Sequence, residues 1–274
     1  MTFEQALVIL SQAPQASLDL EWLALLLAQD ESPELDVSVY LSKLDDLAEQ
    51  CGDQLLGEWP NRVQQFADWL FHPNRFRGNQ HDYYDPRNSF LSDVIDRQLG
   101  IPITLSILAI AVGQRLGLTL HGVGLPGHFV VCAREAGYAP ILFDPFHGGK
   151  LLNRSDCELL IQSSTGLQVP VTDDTLAPLS KPLIVLRMLA NLKAIYLQRG
   201  DLNRARRVIA RMQTLMPRDP IHRRDLGVVC LQLGQAGRAI DELTAYVEMS
   251  PYAADRSMVE SAIAQAKAEV AKWN

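Results

Sequence analysis

Apolar residues recur at helical spacing over most of the first 75 positions. Phe3, Ala6, Leu7 and Leu10 make one stripe, and Leu18, Leu20, Trp22, Leu23, Leu25, Leu26 and Leu27 form a denser run. The pattern continues through residues 36–55 and 59–71, predicting a helical region over 1–75. Nothing in it combines titratable groups at chemically useful spacing, so its expected task is packing. From His72 to Asn88 the composition turns to His, Arg, Gly, Asn, Tyr and Pro, and the periodicity breaks into a loop. Residues 89–99 read as a short helix ended by Gly100. Pro102 opens a second helix, whose apolar positions run through Leu105, Leu108, Ala109 and Val112 to Leu116 before Gly117 stops it. Three β-rich runs follow, at 118–123, 128–133 and 141–143, punctuated by Gly and Pro, and predict a small antiparallel sheet. Leu151 and Leu152 add a further strand, 155–162 a helix, and 172–179 a polar linker, which places a domain boundary near residue 180.

Beyond Pro182 the chain repeats at a spacing of 34: Leu192 with Leu226, Leu197 with Leu231, Gln198 with Gln232, Gly200 with Gly234, Ala205 with Ala239, and Pro217 with Pro251. Each unit reads helix, Gly turn, helix, Pro stop, with a small Ala where two helices approach. This resembles the tetratricopeptide repeat, matched at Leu226, Gly227, Ala239 and Pro251 in one unit and at Leu192, Tyr196, Ala205 and Pro217 in the other. It departs where Lys193 replaces the small residue and Cys230 the aromatic one. The expected second domain is 181–274, with repeats at 186–219 and 220–253 and a capping helix over 255–272. The resemblance implies a protein or peptide partner, bound on the first helix of each pair by Arg187, Asn191 and Arg224, which suit an acidic segment or terminal carboxylate. Two repeats are also few enough to serve only as a docking element.

Composition narrows the classes. Of 274 residues, 21% are charged, and no apolar run reaches the roughly 18–20 residues of a membrane span. The start lacks a basic-then-apolar leader, so a soluble cytoplasmic protein with no membrane partner is expected. The four cysteines, Cys51, Cys132, Cys157 and Cys230, are too scattered for a disulfide framework or zinc site. The net charge of −7 hides twelve acidic side chains against Lys43 alone in residues 1–60, and nine basic against two acidic in 180–220. No reading motif accompanies the basic stretch, so a nucleic-acid partner is not expected.

A cysteine acyl transferase needs a thiolate at a helix N-terminus, an imidazole to carry the proton and a carboxylate to orient it. The helix from Pro102, the strand from His128 and the strand ending at Asp144 have the order and lengths for this, and neighbouring antiparallel strands can bring His128 to Asp144. Gly100-Ile101-Pro102, Leu116-Gly117, Gly127-His128 and Asp144-Pro145 resemble the core of the transglutaminase-like superfamily. More narrowly, Asp85-Pro86, Asn88-Ser89, Gly100 to Leu105, Gly122-Val123-Gly124, Pro126 to Phe129 and Asp144 to Gly149 resemble the SirB-type bacterial proteins, in which such a domain precedes tetratricopeptide repeats. The resemblance implies an α+β fold followed by an all-α domain, with the first domain at 1–180: a helical part over 1–75 and a core over 85–165. It also implies a triad carried by His128 and Asp144 whose cysteine falls on Pro102.

Proline has no nucleophile, and it suits a helix's first turn. Thr104 and Ser106 lie close by but are weak nucleophiles without a strong base. Cys132, four residues along the strand from His128, is roughly 13 Å away by strand geometry. The His128 and Asp144 pair is open to two readings: a stabilising remnant, or part of a ligand pocket with Asn88, Thr104, Gly127, His147, Gly148 and Gly149. A metal on His128, Asp144 and His147 is not expected, because two of the three flank a turn and no second histidine stands at helical spacing. No cofactor is implied. The expected function is a non-catalytic adaptor or regulator. The alternative is a hydrolase or acyl transferase in which His128 and Asp144 activate a hydroxyl or water.

Overall fold

The computed structural model describes residues 1–271. Positions 272–274, including the last residue of the expected capping helix, lie outside the described residues. In chain order the elements are α1 (Phe3–Gln12), α2 (Leu20–Glu31), α3 (Val37–Gly52), α4 (Trp59–Leu70), β1 (Arg77–Gly78), α5 (Leu91–Arg97), β2 (Leu99–Gly100), α6 (Pro102–Arg115), β3 (Leu120–Leu125), β4 (His128–Ala133), β5 (Ile141–Asp144), β6 (Lys150–Leu152) and α7 (Arg154–Thr165). Five further helices follow: α8 (Lys181–Gln198), α9 (Leu202–Leu215), α10 (Pro220–Gln232), α11 (Ala236–Met249) and α12 (Arg256–Ala271). Short 3-10 turns at Pro86–Ser89 and Pro145–His147 complete the list.

The chain divides into two compact units, one of residues 1–3 and 15–188, the other of 4–14 and 189 onward. The division falls inside α8 rather than near 180. Residues 4–14, which helical periodicity groups with the first region, belong to the second unit: Arg211 Nε on α9 donates to Glu4 Oε1 at 2.9 Å.

The first unit is built around α6. Every residue from Pro102 to Gly113 is buried, as befits a helix apolar on all sides. It packs on β3 and β4 and on α2 and α3. The sheet is antiparallel throughout, in the order β3-β4-β5-β6. All six residues of β4 are buried, because α6 and α7 both pack on it. Val123, Leu125, Val130, Cys132 and Leu142 of the sheet form a core with Cys157 and Ile161 of α7.

One feature departs from the sequence pattern. The loop over 72–88 and the segment around Gly100 pair as two-residue parallel strands, Arg77 with Leu99 and Gly78 with Gly100. The preceding helix ends earlier than Gly100, at Gln98, which takes the left-handed conformation (φ 56°). Gly78 has a second function, because a β-carbon there would lie 2.5 Å from the Phe146 ring. The bare backbone lets that ring close over the strand pair.

Gly149 is constrained twice. Its φ is 73°, and a β-carbon would lie 2.7 Å from the carbonyl oxygen of Ala67 on α4. Gly149→Ala is expected to cost about 2–4 kcal/mol, from left-handed strain plus a clash with backbone that cannot yield. Urea denaturation should show a lower midpoint with unchanged slope.

In the second unit the 34-residue period is visible as structure. Gly200 and Gly234 both end a helix at φ 70°, and Ala205 and Ala239 are fully buried. Ile209, Leu226, Val229, Cys230 and Ala239 form one core, and Leu243, Tyr246 and Val259 form the next. Both departures from the repeat motif are absorbed: Cys230 fills the core, and the Lys193 ammonium pairs with Asp225.

Candidate functional site

Two strands and a turn converge on Asp144. The Pro126-Gly127 turn sets Leu125 opposite His128, so β4 begins with His128 at the end of the hairpin. Pairing of β4 with β5 then carries Asp144 to the same end. His128 Nε2 lies 2.9 Å from Asp144 Oδ2, with the side chains 6% and 1% exposed. His147, on the turn after Asp144, brings its Nδ1 to 2.7 Å from the same oxygen. The other oxygen, Oδ1, accepts the backbone N–H groups of Phe146 at 2.9 Å and His147 at 3.4 Å. One carboxylate therefore serves two imidazoles and caps its own turn.

The electrostatics follow from that crowding. Burial pushes the Asp144 carboxyl up, but its hydrogen bonds to His128 and His147 outweigh this and hold it far below the usual carboxylate range. The Asp144 hydrogen bond raises His147 above an ordinary imidazole, against partial burial. The Phe146 ring meets His128 edge-on at 6.1 Å and Tyr83 at 6.0 Å, and the two imidazoles are 5.6 Å apart. Among the described residues no hydrogen bond reaches His128 Nδ1. His147 also borders two cavities. One of about 560 Å³ is lined by Asp144, His147, Lys150 and the leucines 152, 159 and 160; one of about 590 Å³ is lined by Arg77, Asn79, His81 and Phe146.

The hydroxyls at the start of α6 are committed to backbone groups. Pro102 is the buried first residue of α6. The Thr104 hydroxyl donates to Asn88 O at 2.7 Å and accepts from Ile101 N at 3.2 Å, and the Ser106 hydroxyl donates to Pro102 O at 2.8 Å. All four cysteines are buried and unbridged. Burial pushes the Cys51 thiol up to about 12 and that of Cys157 up to about 11, so neither supplies a thiolate near neutral pH.

Several residues singled out in the sequence do other work. Asn88 is fully buried; its amide donates to the carbonyls of Asp82 and Tyr83 and its oxygen accepts from Asn79, so it ties down the 79–90 loop rather than lining a pocket. Thr104 is spent likewise at the start of α6. Gly127 and Gly148 take positive φ at turns, and Gly149 packs on Ala67. Arg187 is the clearest correction. It belongs to the first unit, where its guanidinium donates to Leu125 O at 2.7 Å and to His128 O, and lies 5.5 Å from the Phe129 ring. Among the described residues it faces no carboxylate. Its role is to close the β3–β4 hairpin that presents His128. Arg224 is held between Asp225 and Asp255, at 3.0 and 3.1 Å, so its charge is already neutralised. Asn191 is half-buried on α8.

Comparison with known proteins agrees with this architecture. A family model described as the transglutaminase-like superfamily matches residues 38–190, and one described as the tetratricopeptide repeat matches 192–264. These define the class, a transglutaminase-like domain followed by repeats. A UPF0162 protein of Xylella fastidiosa is 35% identical over 242 residues, covering 86% of this chain and 85% of the relative. One of Vibrio cholerae is 28% identical over 190 residues, covering 69% and 70%. The chain belongs to the transglutaminase-like superfamily and, within it, to the UPF0162 proteins. A shorter likeness, 36% over 99 residues, links 34% of this chain to 16% of F-box only protein 21 of Mus musculus. No helix among the described residues is long and apolar enough to cross a membrane.

Proposed function

We propose that this chain is a non-catalytic transglutaminase-like and tetratricopeptide protein of the SirB type, a cytoplasmic adaptor or regulator that binds a protein or peptide. The observation that carries the reading is the start of α6. Pro102 stands where the resemblance expects a cysteine, and the neighbouring Thr104 and Ser106 hydroxyls are engaged with backbone carbonyls.

Of the groove residues expected from the sequence, Arg187 donates to backbone carbonyls and Arg224 is held by two carboxylates. On α9, Arg204, Arg206, Arg207 and Arg211 border a cavity of about 450 Å³ together with Glu4, which pairs with Arg211, while Asp201 pairs with Arg204. A partner segment rich in Asp and Glu would exchange for these internal carboxylates, a reading supported by the excess of basic over acidic side chains along α9. The test is fluorescence-anisotropy titration with an acidic peptide. Arg204→Glu combined with Arg207→Glu should weaken binding at least tenfold, about 1.4 kcal/mol, while His128→Ala leaves it unchanged. Binding that ignores the charge reversal, or that His128→Ala abolishes, would remove the repeats as the binding element.

The unoccupied Nδ1 of His128, with Nε2 held by Asp144, favours a second reading: a hydrolase or acyl transferase in which this imidazole activates water. Turnover measurements separate the two.

A further inference from the structure

We propose that His128 Nε2, Asp144 Oδ2 and His147 Nδ1 form a binding site for one divalent transition-metal ion of the zinc class. Sequence spacing argues against it, because Asp144 and His147 flank a turn. The fold supplies what the spacing lacks by delivering His128 from the neighbouring strand, so that all three ligand atoms lie within 4.8 Å of one another.

Three features distinguish this cluster from an ordinary His–Asp pair. A carboxylate that only orients one imidazole has no use for a second, yet Asp144 Oδ2 lies within hydrogen-bond distance of two imidazole nitrogens, which converge on the same side of the turn closely enough to share an ion. The remaining oxygen is fixed by backbone N–H groups, which aim Oδ2 as a single-oxygen ligand. Two imidazole nitrogens and one carboxylate oxygen are a donor set suited to zinc and its neighbours, and unlike the all-oxygen shells of calcium or magnesium.

The geometry needs a modest change. An ion with ligands at about 2.0–2.2 Å in tetrahedral arrangement holds those atoms roughly 3.4 Å apart. Asp144 Oδ2 must therefore draw back by about half an ångström from each imidazole while the imidazoles close towards each other. His147, whose side chain is 43% exposed, has room to move; His128 is held through its carbonyl by Arg187. The cavity of about 560 Å³ reaches Asp144 and His147, giving the ion a path in and leaving a coordination position for water or a ligand group. On binding, the ion takes the place of the hydrogens between the carboxylate and the imidazoles: a neutral imidazole carries its proton on the other ring nitrogen, and an imidazolium releases one proton to solvent.

The test uses the full-length chain, stripped with a chelator and dialysed, then titrated with Zn²⁺ by calorimetry and with Co²⁺ by absorption spectroscopy. The expected result is one ion per chain with Kd at or below about 1 µM, and cobalt ligand-field bands without sulfur charge transfer. Zinc should also raise Tm. His147→Ala, on the exposed member of the cluster, should weaken binding at least a hundredfold and remove the Tm shift while circular dichroism stays unchanged; His81→Ala should change nothing. Absence of binding at 100-fold lower affinity than expected, about 100 µM, would overturn the proposal. So would binding that survives His147→Ala, or a cobalt spectrum carrying thiolate bands, which would place the ion on a cysteine.

Discussion

Asp144→Ala is expected to destabilise the first unit by about 3 kcal/mol, because it leaves two imidazoles and the Phe146 N–H without their shared acceptor inside a buried site. Urea denaturation followed by tryptophan fluorescence measures the loss. Its dependence on pH identifies the cause. The Asp144 carboxyl is depressed below its ordinary 3.8, so its contribution is full above that value and fades as pH falls through the folded-state pKa. His147 is raised above 6.5, so its contribution is full below 6.5 and fades as pH rises through its folded-state value. The difference between wild type and Asp144→Ala should therefore be largest between pH 4 and 6.5 and shrink on either side. The alkaline decline should be shallow, since His147 is exposed enough for solvent to screen the pair. A difference flat from pH 3 to 9 would mean that packing alone, not the shared carboxylate, holds the cluster.

The second large effect is a gain. If Pro102 occupies the place of the superfamily's nucleophile, Pro102→Cys puts a thiol at the N-terminus of α6, where the helix dipole favours the thiolate. The thiols of Cys51, Cys157 and Cys230 are shifted up by burial and none stands at the first residue of a helix as position 102 does, so they provide a quiet background. Alkylation by iodoacetamide at pH 7 should be at least tenfold faster in the variant than in wild type, and adding His128→Ala should slow it several-fold. The fold should tolerate the change at a cost below about 1 kcal/mol, because a proline at that position contributes little beyond a pre-set φ. Labelling no faster than wild type, or indifferent to His128, would remove Pro102 from that role.

How far the sequence carried the account depended on the range of the interaction. The meeting of His128 and Asp144 was legible because Gly and Pro punctuation marks the strand ends, and adjacent antiparallel strands leave little freedom in how those ends align. The 34-residue period was legible for the same kind of reason, since each repeat restates its own Gly turn and small Ala. The pairing of Arg77-Gly78 with Leu99-Gly100 was not, because two-residue strands carry no periodicity. Arg187 was misplaced because helical spacing says which face a side chain occupies, not which partner covers that face. Its acceptors lie 59 and 62 residues upstream and are carbonyls, which have no signature in side-chain sequence. The joining of residues 4–14 to the second unit was not legible either, because a contact such as Glu4 with Arg211 spans 207 positions. His147 was noticed as a pocket residue, but its bond to Asp144 depends on the tight turn at 145–147, which the motif alone does not describe.

The central claim is that a complete His128–Asp144 pair stands in this chain without a nucleophile to serve. It is tested most directly by turnover of purified wild-type protein and His128→Ala on glutamine-containing peptides with amine donors and on a broad panel of esters and amides. The account predicts that the two proteins are indistinguishable from buffer; reproducible turnover by wild type that His128→Ala abolishes would contradict it.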